Sequence, residues 1–197
     1  MCIRDSSLGT RTAALVDGSG SLAWAFEDLV AITRRAVGAR GTIEHAQLLV
    51  DTDVERFARL GVAASVQPEH AMDDRDIADR HWAGDTDRAF AFASLVRAGA
   101  DVLLGSDAPV APLDPWVSLA AAVGRDRDGR EPWHPAERMS ALAAWRGSTD
   151  GRVSVSVGDV ADLVLTEADP LAASSATLRS MRVLGTAIAG RWTHLDL

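Results

Sequence analysis

Short β-prone runs alternate along this chain with longer segments in which apolar residues recur every three or four positions. The short runs predict strands at Thr12–Val16, Thr42–Glu44, Val62–Val66 and Asp101–Leu104. The longer periodic segments predict helices at Leu22–Val37, from Asp51 onward and at about Asp85–Ala98, with an acid-rich loop after Val66. Strand and helix alternating every 30 residues or so indicate right-handed crossovers and a parallel sheet.

The pattern changes near residue 148. From Gly151 onward, Val153, Val155 and Val157 alternate with polar residues. Two further strands are expected at Ala161–Leu165 and Met181–Ala189. The sequence therefore predicts an α/β part over residues 1–148 and a second, mainly β part over residues 149–197.

The number of strand–helix units limits the possible folds. A closed eight-unit barrel takes about 250 residues, so at most four or five units fit before residue 148. Either the sheet is open, or the chain is the C-terminal part of a larger protein.

Composition and net charge indicate which classes of molecule this protein can bind. The 197 residues carry a net charge of −8, which argues against nucleic acid and favours a small molecule. A single cysteine excludes an internal disulfide, and no apolar run is long enough for a membrane span. Because no secretory signal precedes the first strand either, we expect a cytoplasmic protein. All 20 basic residues are arginine, which excludes lysine-based catalysis within these residues.

Two motifs place side chains that can bind a metal just after predicted strands. The first is Ile43-Glu44-His45-Ala46-Gln47, and the second is Gly105-Ser106-Asp107-Ala108-Pro109. A histidine at a strand's carboxyl end can bind a divalent cation, but it can also be a hydrogen-bonded residue at the sheet edge. Asp107 could bind metal and accept a proton from water, or it could cap the helix that is expected near Asp114 or close an Asx turn.

His70 follows the strand that lies between the other two in the sequence. It could contact substrate, stabilise a transition-state oxygen or face solvent. A structural role is the better interpretation of His81 and of His134, which resembles a helix start. Trp82 and Trp116 follow strand-end loops and could line a pocket, although core packing is the first explanation for any tryptophan.

Together, the two motifs, their order and the β-rich tail resemble the amidohydrolase superfamily, and specifically amidohydrolase family 3. The resemblance implies a partial (β/α)8 TIM barrel, comprising about the last four units, followed by part of a small β-sandwich. It implies that His45 and Asp107 are metal ligands, that Asp107 is also the catalytic base, and that His70 faces the substrate. The implied cofactor is a divalent metal such as zinc.

The sequence also departs from the family pattern. The family begins its metal site with a His-x-His pair and adds a lysine or acid midway, and neither is found before residue 43. Its fifth-strand histidine aligns with Leu15, and the aspartate that follows aligns with Ser19. Residues 1–7 match nothing in the family and look non-native. We therefore expect a C-terminal fragment in which metal binding is weak or absent and activity is low.

The resemblance implies that the intact parent hydrolyses an amide-like, non-peptide C–N bond with a water that the metal activates. Two alternatives remain open. The chain could be a non-catalytic module that binds a small molecule, or a structural subunit whose barrel is completed by another chain. An exposed sheet edge next to the first strand makes a homo-oligomer plausible.

Overall fold

A computed structural model describes the backbone of residues 4–5, 11–15 and 40–196, and the side chains of residues 41–196. The helix expected at Leu22–Val37 lies outside the described residues, as does Ser19. All four strands that the sequence predicts before residue 148 are present, with bounds that differ by one or two residues.

The main sheet has five strands in the order β1-β2-β3-β4-β5. They span Arg4–Asp5 (β1), Arg11–Leu15 (β2), Arg40–Glu44 (β3), Ala63–Val66 (β4) and Val102–Leu104 (β5). Strands β2 to β5 are parallel, and β1 runs antiparallel to β2. The edge beside β2, which we expected to be exposed, is thus paired with β1 over two residues.

The connection between β3 and β4 is a helix, as the sequence predicts. Helix α1 (Asp51–Leu60) joins β3 to β4 and ends at Gly61, whose left-handed conformation closes the helix. Asp51 is the first helical residue, and the N-cap position is occupied by Val50, which makes no side-chain capping hydrogen bond.

The acid-rich loop expected after β4 is instead a helix, α2 (Pro68–His81). Proline in the first turn and Glu69 beside it favour helix initiation. The carboxylates of Asp73, Asp76 and Asp79 lie at helical spacing, and each accepts a hydrogen bond from the segment around residues 127–133. This charge pairing, which a local sequence pattern does not reveal, stabilises the helix.

The helix predicted at Asp85–Ala98 is broken. A 3₁₀ turn at Thr86–Arg88 is followed by Phe90, which has a φ of 55° and donates its N–H to the carbonyl of Gln47. Helix α3 therefore begins only at Phe92 and ends at Arg97.

Two helices follow β5. Helix α4 (Pro115–Gly124) is capped by Asp114, whose Oδ1 accepts from the N–H of Trp116 at 2.9 Å. A 3₁₀ turn at Pro135–Glu137 then precedes helix α5 (Ala141–Ser148), which Ser140 caps.

The C-terminal part forms a second sheet of three antiparallel strands. These are β6 (Leu163–Thr166), β7 (Val183–Ile188) and β8 (Arg191–Leu195), with helix α6 (Ser175–Arg179) between β6 and β7. The alternating valines at 153–157 do not form a strand. They pair with no neighbouring strand, and Val155 and Val157 are exposed, so alternation alone does not stabilise β structure here.

The hydrophobic core crosses the expected boundary at residue 148. Leu178 and Met181 are buried in the same cluster as Phe92, Leu95 and Leu119. Segments on both sides of the boundary thus share apolar contacts, and the division into 1–148 and 149–197 stays a prediction. Within the described part of the chain, no helix has both the length and the apolar character needed to cross a membrane.

Candidate metal centre

Strands β3, β4 and β5 of the main sheet end side by side. Glu44 of β3 pairs with Ser65, and Val66 of β4 pairs with Leu104. Pairing continues one residue past the strands, because His45 donates its N–H to the carbonyl of Ser65 at 2.7 Å and Gly105 donates to that of Val66 at 2.9 Å. The residues that follow these strands are therefore held at one edge, where parallel-sheet enzymes place their active sites.

His45 occupies a strained turn at this edge. It has a φ of 68°, and Ala46 follows with a φ of 44°. Non-glycine residues rarely adopt this left-handed region, and such residues are found preferentially at functional sites. The His45 side chain is 27% exposed, so its imidazole is open to a ligand.

Asp107 lies opposite His45. Its Oδ2 is 3.9 Å from His45 Nε2, and it too has a positive φ, of 52°. Asp107 does not cap the following helix, because Asp114 does. Its carboxylate is half exposed and is therefore available for a ligand.

His70 completes the group from the first turn of α2. Its ring stacks on that of His45, with the ring centroids 5.7 Å apart and the planes inclined by 19°. Its Nε2 is buried and has no hydrogen-bond partner among the described residues. Because leaving a buried polar atom unpaired costs about 1–3 kcal/mol, this nitrogen calls for a partner that the described residues do not supply.

The three side chains fit a divalent cation. One ligand atom from each of His45, His70 and Asp107 can be chosen so that all three lie within 4.8 Å of one another. Two imidazoles and one carboxylate form a donor set that zinc and related metals accept. In the part of the chain that the structure describes, this is the one group of three such residues.

The other candidate residues lie outside this group. His81 is at the end of α2, and His134 Nδ1 lies 3.6 Å from Asp87 Oδ1. Trp116 is buried and packs on Trp145, with the ring centroids 6.0 Å apart. Trp82 packs partly buried against the core.

Three charged residues beside the site are not predicted from the sequence: Glu69, Arg127 and Arg179. Glu69, which directly precedes His70, is 4% exposed and accepts hydrogen bonds from both Arg127 and Arg179. An acid next to a candidate histidine could have drawn attention to Glu69. No local pattern points to Arg179, which lies 110 positions further along the chain.

One departure from the family pattern lies at the end of β2, the strand that precedes β3. Leu15 ends β2 and pairs with Glu44, so the position where the resemblance expects a fifth-strand histidine is at the correct edge of the sheet. A leucine cannot bind metal.

Comparison with known proteins decides the family. A model described as the amidohydrolase family matches residues 6–194. The chain belongs to the amidohydrolase family. Over nearly its whole length it is 30% identical to the protein LONG AFTER FAR-RED 3 of Arabidopsis thaliana, covering 97% of this chain and 35% of that one. It is 27% identical to an N-substituted formamide deformylase of Arthrobacter pascens, covering 96% of this chain and 38% of that one.

A solved structure shows the same likeness. The chain is 30% identical to an uncharacterized metal-dependent hydrolase from Pyrococcus furiosus, with a TM-score of 0.54 over 73% of this chain and 28% of the other. This amidohydrolase chain spans between a third and two fifths of the length of the two curated relatives. The α/β fold of the neighbours agrees with the parallel sheet described here.

Proposed function

We propose that this chain is part of a metal-dependent amidohydrolase that hydrolyses an amide-like C–N bond other than a peptide bond. The observation that carries the proposal is the convergence of His45, His70 and Asp107, with the buried Nε2 of His70 unpaired within the part of the chain that the structure describes. The substrate class draws support from the relative named as an N-substituted formamide deformylase.

We further propose that β2 to β5 are the last four strands of an eight-stranded barrel. Their parallel order and the short span relative to the curated relatives support this interpretation. On the same basis, the three-stranded sheet is part of a small β-sandwich, with the domains dividing near residue 148.

His45 and Asp107 would hold the metal, and zinc suits a site with nitrogen and oxygen donors. When bound, a divalent cation supplies Lewis acidity that polarises a carbonyl and makes water a better nucleophile at neutral pH.

The remaining steps belong to the side chains. The half-exposed carboxylate of Asp107 accepts a proton from the attacking water and returns it to the leaving nitrogen as the C–N bond breaks. His70 donates a hydrogen bond from its buried nitrogen to the substrate's carbonyl oxygen, which becomes more negative in the transition state. Water is consumed, and a carboxylic acid and an amine are formed.

Metal binding by the 197-residue chain should be weak. A catalytic zinc normally has three protein ligands, and this proposal assigns two. The test is equilibrium dialysis against Zn²⁺ with the complete chain, His45→Ala and, as a control, His81→Ala. We expect saturation only at zinc concentrations far above that of the protein, loss of binding in His45→Ala, and no change in His81→Ala. Equal binding by all three proteins would contradict the proposed site, and a tight stoichiometric complex abolished by His45→Ala would contradict weak binding.

Activity gives a second measurement. We expect the chain alone to release little amine from an N-formylated amine in the presence of Zn²⁺, because the two proposed ligands, His45 and Asp107, are one fewer than a catalytic zinc normally has. Turnover that depends on both Zn²⁺ and Asp107 would show that the chain is sufficient for catalysis.

Two other functions remain candidates. A non-catalytic module would bind a small molecule at His70 without metal, which a crystal structure with an ordered ligand would reveal. A structural subunit would pair with a second copy, and light scattering would then give a discrete dimer.

A further inference from the structure

Glu69 is a buried carboxylate in the same helical turn as His70. Its side chain is 5% exposed, and it accepts three hydrogen bonds from two arginines, Arg127 and Arg179. Charge-assisted bonds of this kind are about twice as strong as neutral ones. Burial without them would be very costly, so they fix the carboxylate in place.

Arg179 binds the Glu69 carboxylate in a bidentate manner. Its Nη1 donates to Oε1 at 3.1 Å, and its Nη2 donates to Oε2 at 2.9 Å. Arg127 reaches only Oε1, at 2.9 Å, with the same nitrogen that also donates to Asp73. Loss of Arg179 would therefore leave Glu69 Oε2 without the one arginine that binds it among the described residues.

The guanidinium of Arg179 is itself held from elsewhere. Its Nη2 also donates to the carbonyl of Asp126 at 3.1 Å. Helix α6, which carries Arg179, is anchored by the buried Leu178 and by a hydrogen bond from Ser175 to Asp126. Arg179 thus connects the first turn of α2 to helix α6 and to the backbone at Asp126.

Adjacent residues on a helix project about 100° apart. A carboxylate fixed at Glu69 therefore restricts rotation of the first turn about the helix axis, and with it the direction of the His70 side chain. We propose that Arg179 is a positioning residue that, through Glu69, holds the His70 ring stacked on His45. The inference concerns a residue of the proposed site, but its test needs neither metal nor substrate.

A purely stabilising ion pair is the competing explanation, and the same helix offers a matched control. Arg130 binds Asp76 through two hydrogen bonds, of 2.6 and 3.0 Å, and both residues are exposed. Asp76 lies six residues beyond His70, about 9 Å along the axis. Loss of this pair removes a doubly bonded ion pair from α2 without touching the turn that carries His70.

The experiment follows the ring C–H signals of His45 and His70 by NMR in the complete chain, with folding checked by urea denaturation. The variants are Arg179→Gln, Arg179→Lys, Glu69→Gln and the control Arg130→Gln. We expect Arg179→Gln and Glu69→Gln to shift both histidine signals beyond their linewidth and to abolish the through-space contact between the rings. Arg179→Lys, which can restore only part of the contact, should shift them less.

Arg130→Gln should leave both signals in place. Unchanged signals in a folded Arg179→Gln protein, or shifts of equal size in Arg130→Gln, would overturn the inference. If Arg179→Gln does not fold, the conservative Arg179→Lys variant replaces it, and unchanged histidine signals in that folded protein would overturn the inference. Failure of the proposed metal chemistry would not alter these signals, so the two outcomes can be told apart.

Discussion

His45 Nε2 and Asp107 Oδ2 lie 3.9 Å apart, although strand β4 separates the two strands that these residues follow. The loops after β3 and β5 thus bring their side chains together at the end of β4. The positive φ angles of His45 and Asp107 show how they do so. Strained backbone at both positions is consistent with a site maintained for its chemistry rather than for stability.

Replacing His70 tests whether a residue of this site is kept at a cost in stability. We expect His70→Leu to raise the free energy of unfolding by about 1 kcal/mol, because it removes a buried nitrogen that has no hydrogen-bond partner among residues 41–196. Urea denaturation checks this, with His81→Leu at the exposed end of α2 as the control. A loss of stability in His70→Leu would mean that the nitrogen has a partner in the folded protein.

Arg125 should be essential to the fold. Its side chain is fully buried, and its Cζ lies 5.2 Å from the Phe92 ring centroid and 5.3 Å from that of Trp133. The guanidinium donates hydrogen bonds to the backbone carbonyls of Phe90 and Trp133. We expect Arg125→Ala to cost about 3–5 kcal/mol, because it opens a cavity and leaves two carbonyls unpaired.

Burial lowers the pKa of Arg125 to about 10, so this side chain is still charged at neutral pH. The control for Arg125→Ala is Arg130→Ala, which breaks an exposed ion pair and should cost less than about 1 kcal/mol. Chemical denaturation of both variants compares the two. Similar losses would contradict a structural role for Arg125.

His134 should contribute to acid sensitivity. Burial lowers its pKa, and the nearby Arg125 guanidinium lowers it further. Below the unfolded value of about 6.5, the unfolded chain binds a proton that the folded protein disfavours. The free energy of unfolding therefore falls as pH decreases through that value, and the loss is complete below the folded pKa.

His134→Gln should flatten this part of the stability profile. Urea denaturation from about pH 5 to pH 8 measures the slope, and His81→Gln serves as the exposed control. An unchanged slope in His134→Gln would show that other groups dominate acid sensitivity.

Gly147 should tolerate no side chain. It lies in α5 against the outer edge of β5, where an added Cβ would come 2.7 Å from the Val102 carbonyl oxygen and 2.6 Å from Leu104 Cδ1. Alanine normally favours a helix over glycine by about 1 kcal/mol, but this clash with backbone should reverse the sign. Thermal denaturation of Gly147→Ala tests it against Gly105→Ala, where a Cβ would meet nothing within 4 Å.

The sequence predicts which side chains meet at this edge of the sheet better than it predicts the helices. His45, His70 and Asp107 could be named because each follows a short strand, and parallel strands bring their carboxyl ends to one edge. Helix α2 was mistaken for a loop because its carboxylates are stabilised by Arg127, Arg130 and Trp133, which are more than fifty residues away. Long-range pairs such as Glu69–Arg179 leave no periodic signal, so only the folded arrangement reveals them.

The most direct test of a metal site at this edge is a crystal structure of the chain grown with Zn²⁺, with data collected at the zinc absorption edge. The account predicts an anomalous peak within coordination distance of His45 Nε2 and Asp107 Oδ2, about 2.0–2.2 Å, and its absence in Asp107→Ala crystals. No peak between these atoms at saturating zinc, or a peak held by other residues alone, would contradict it.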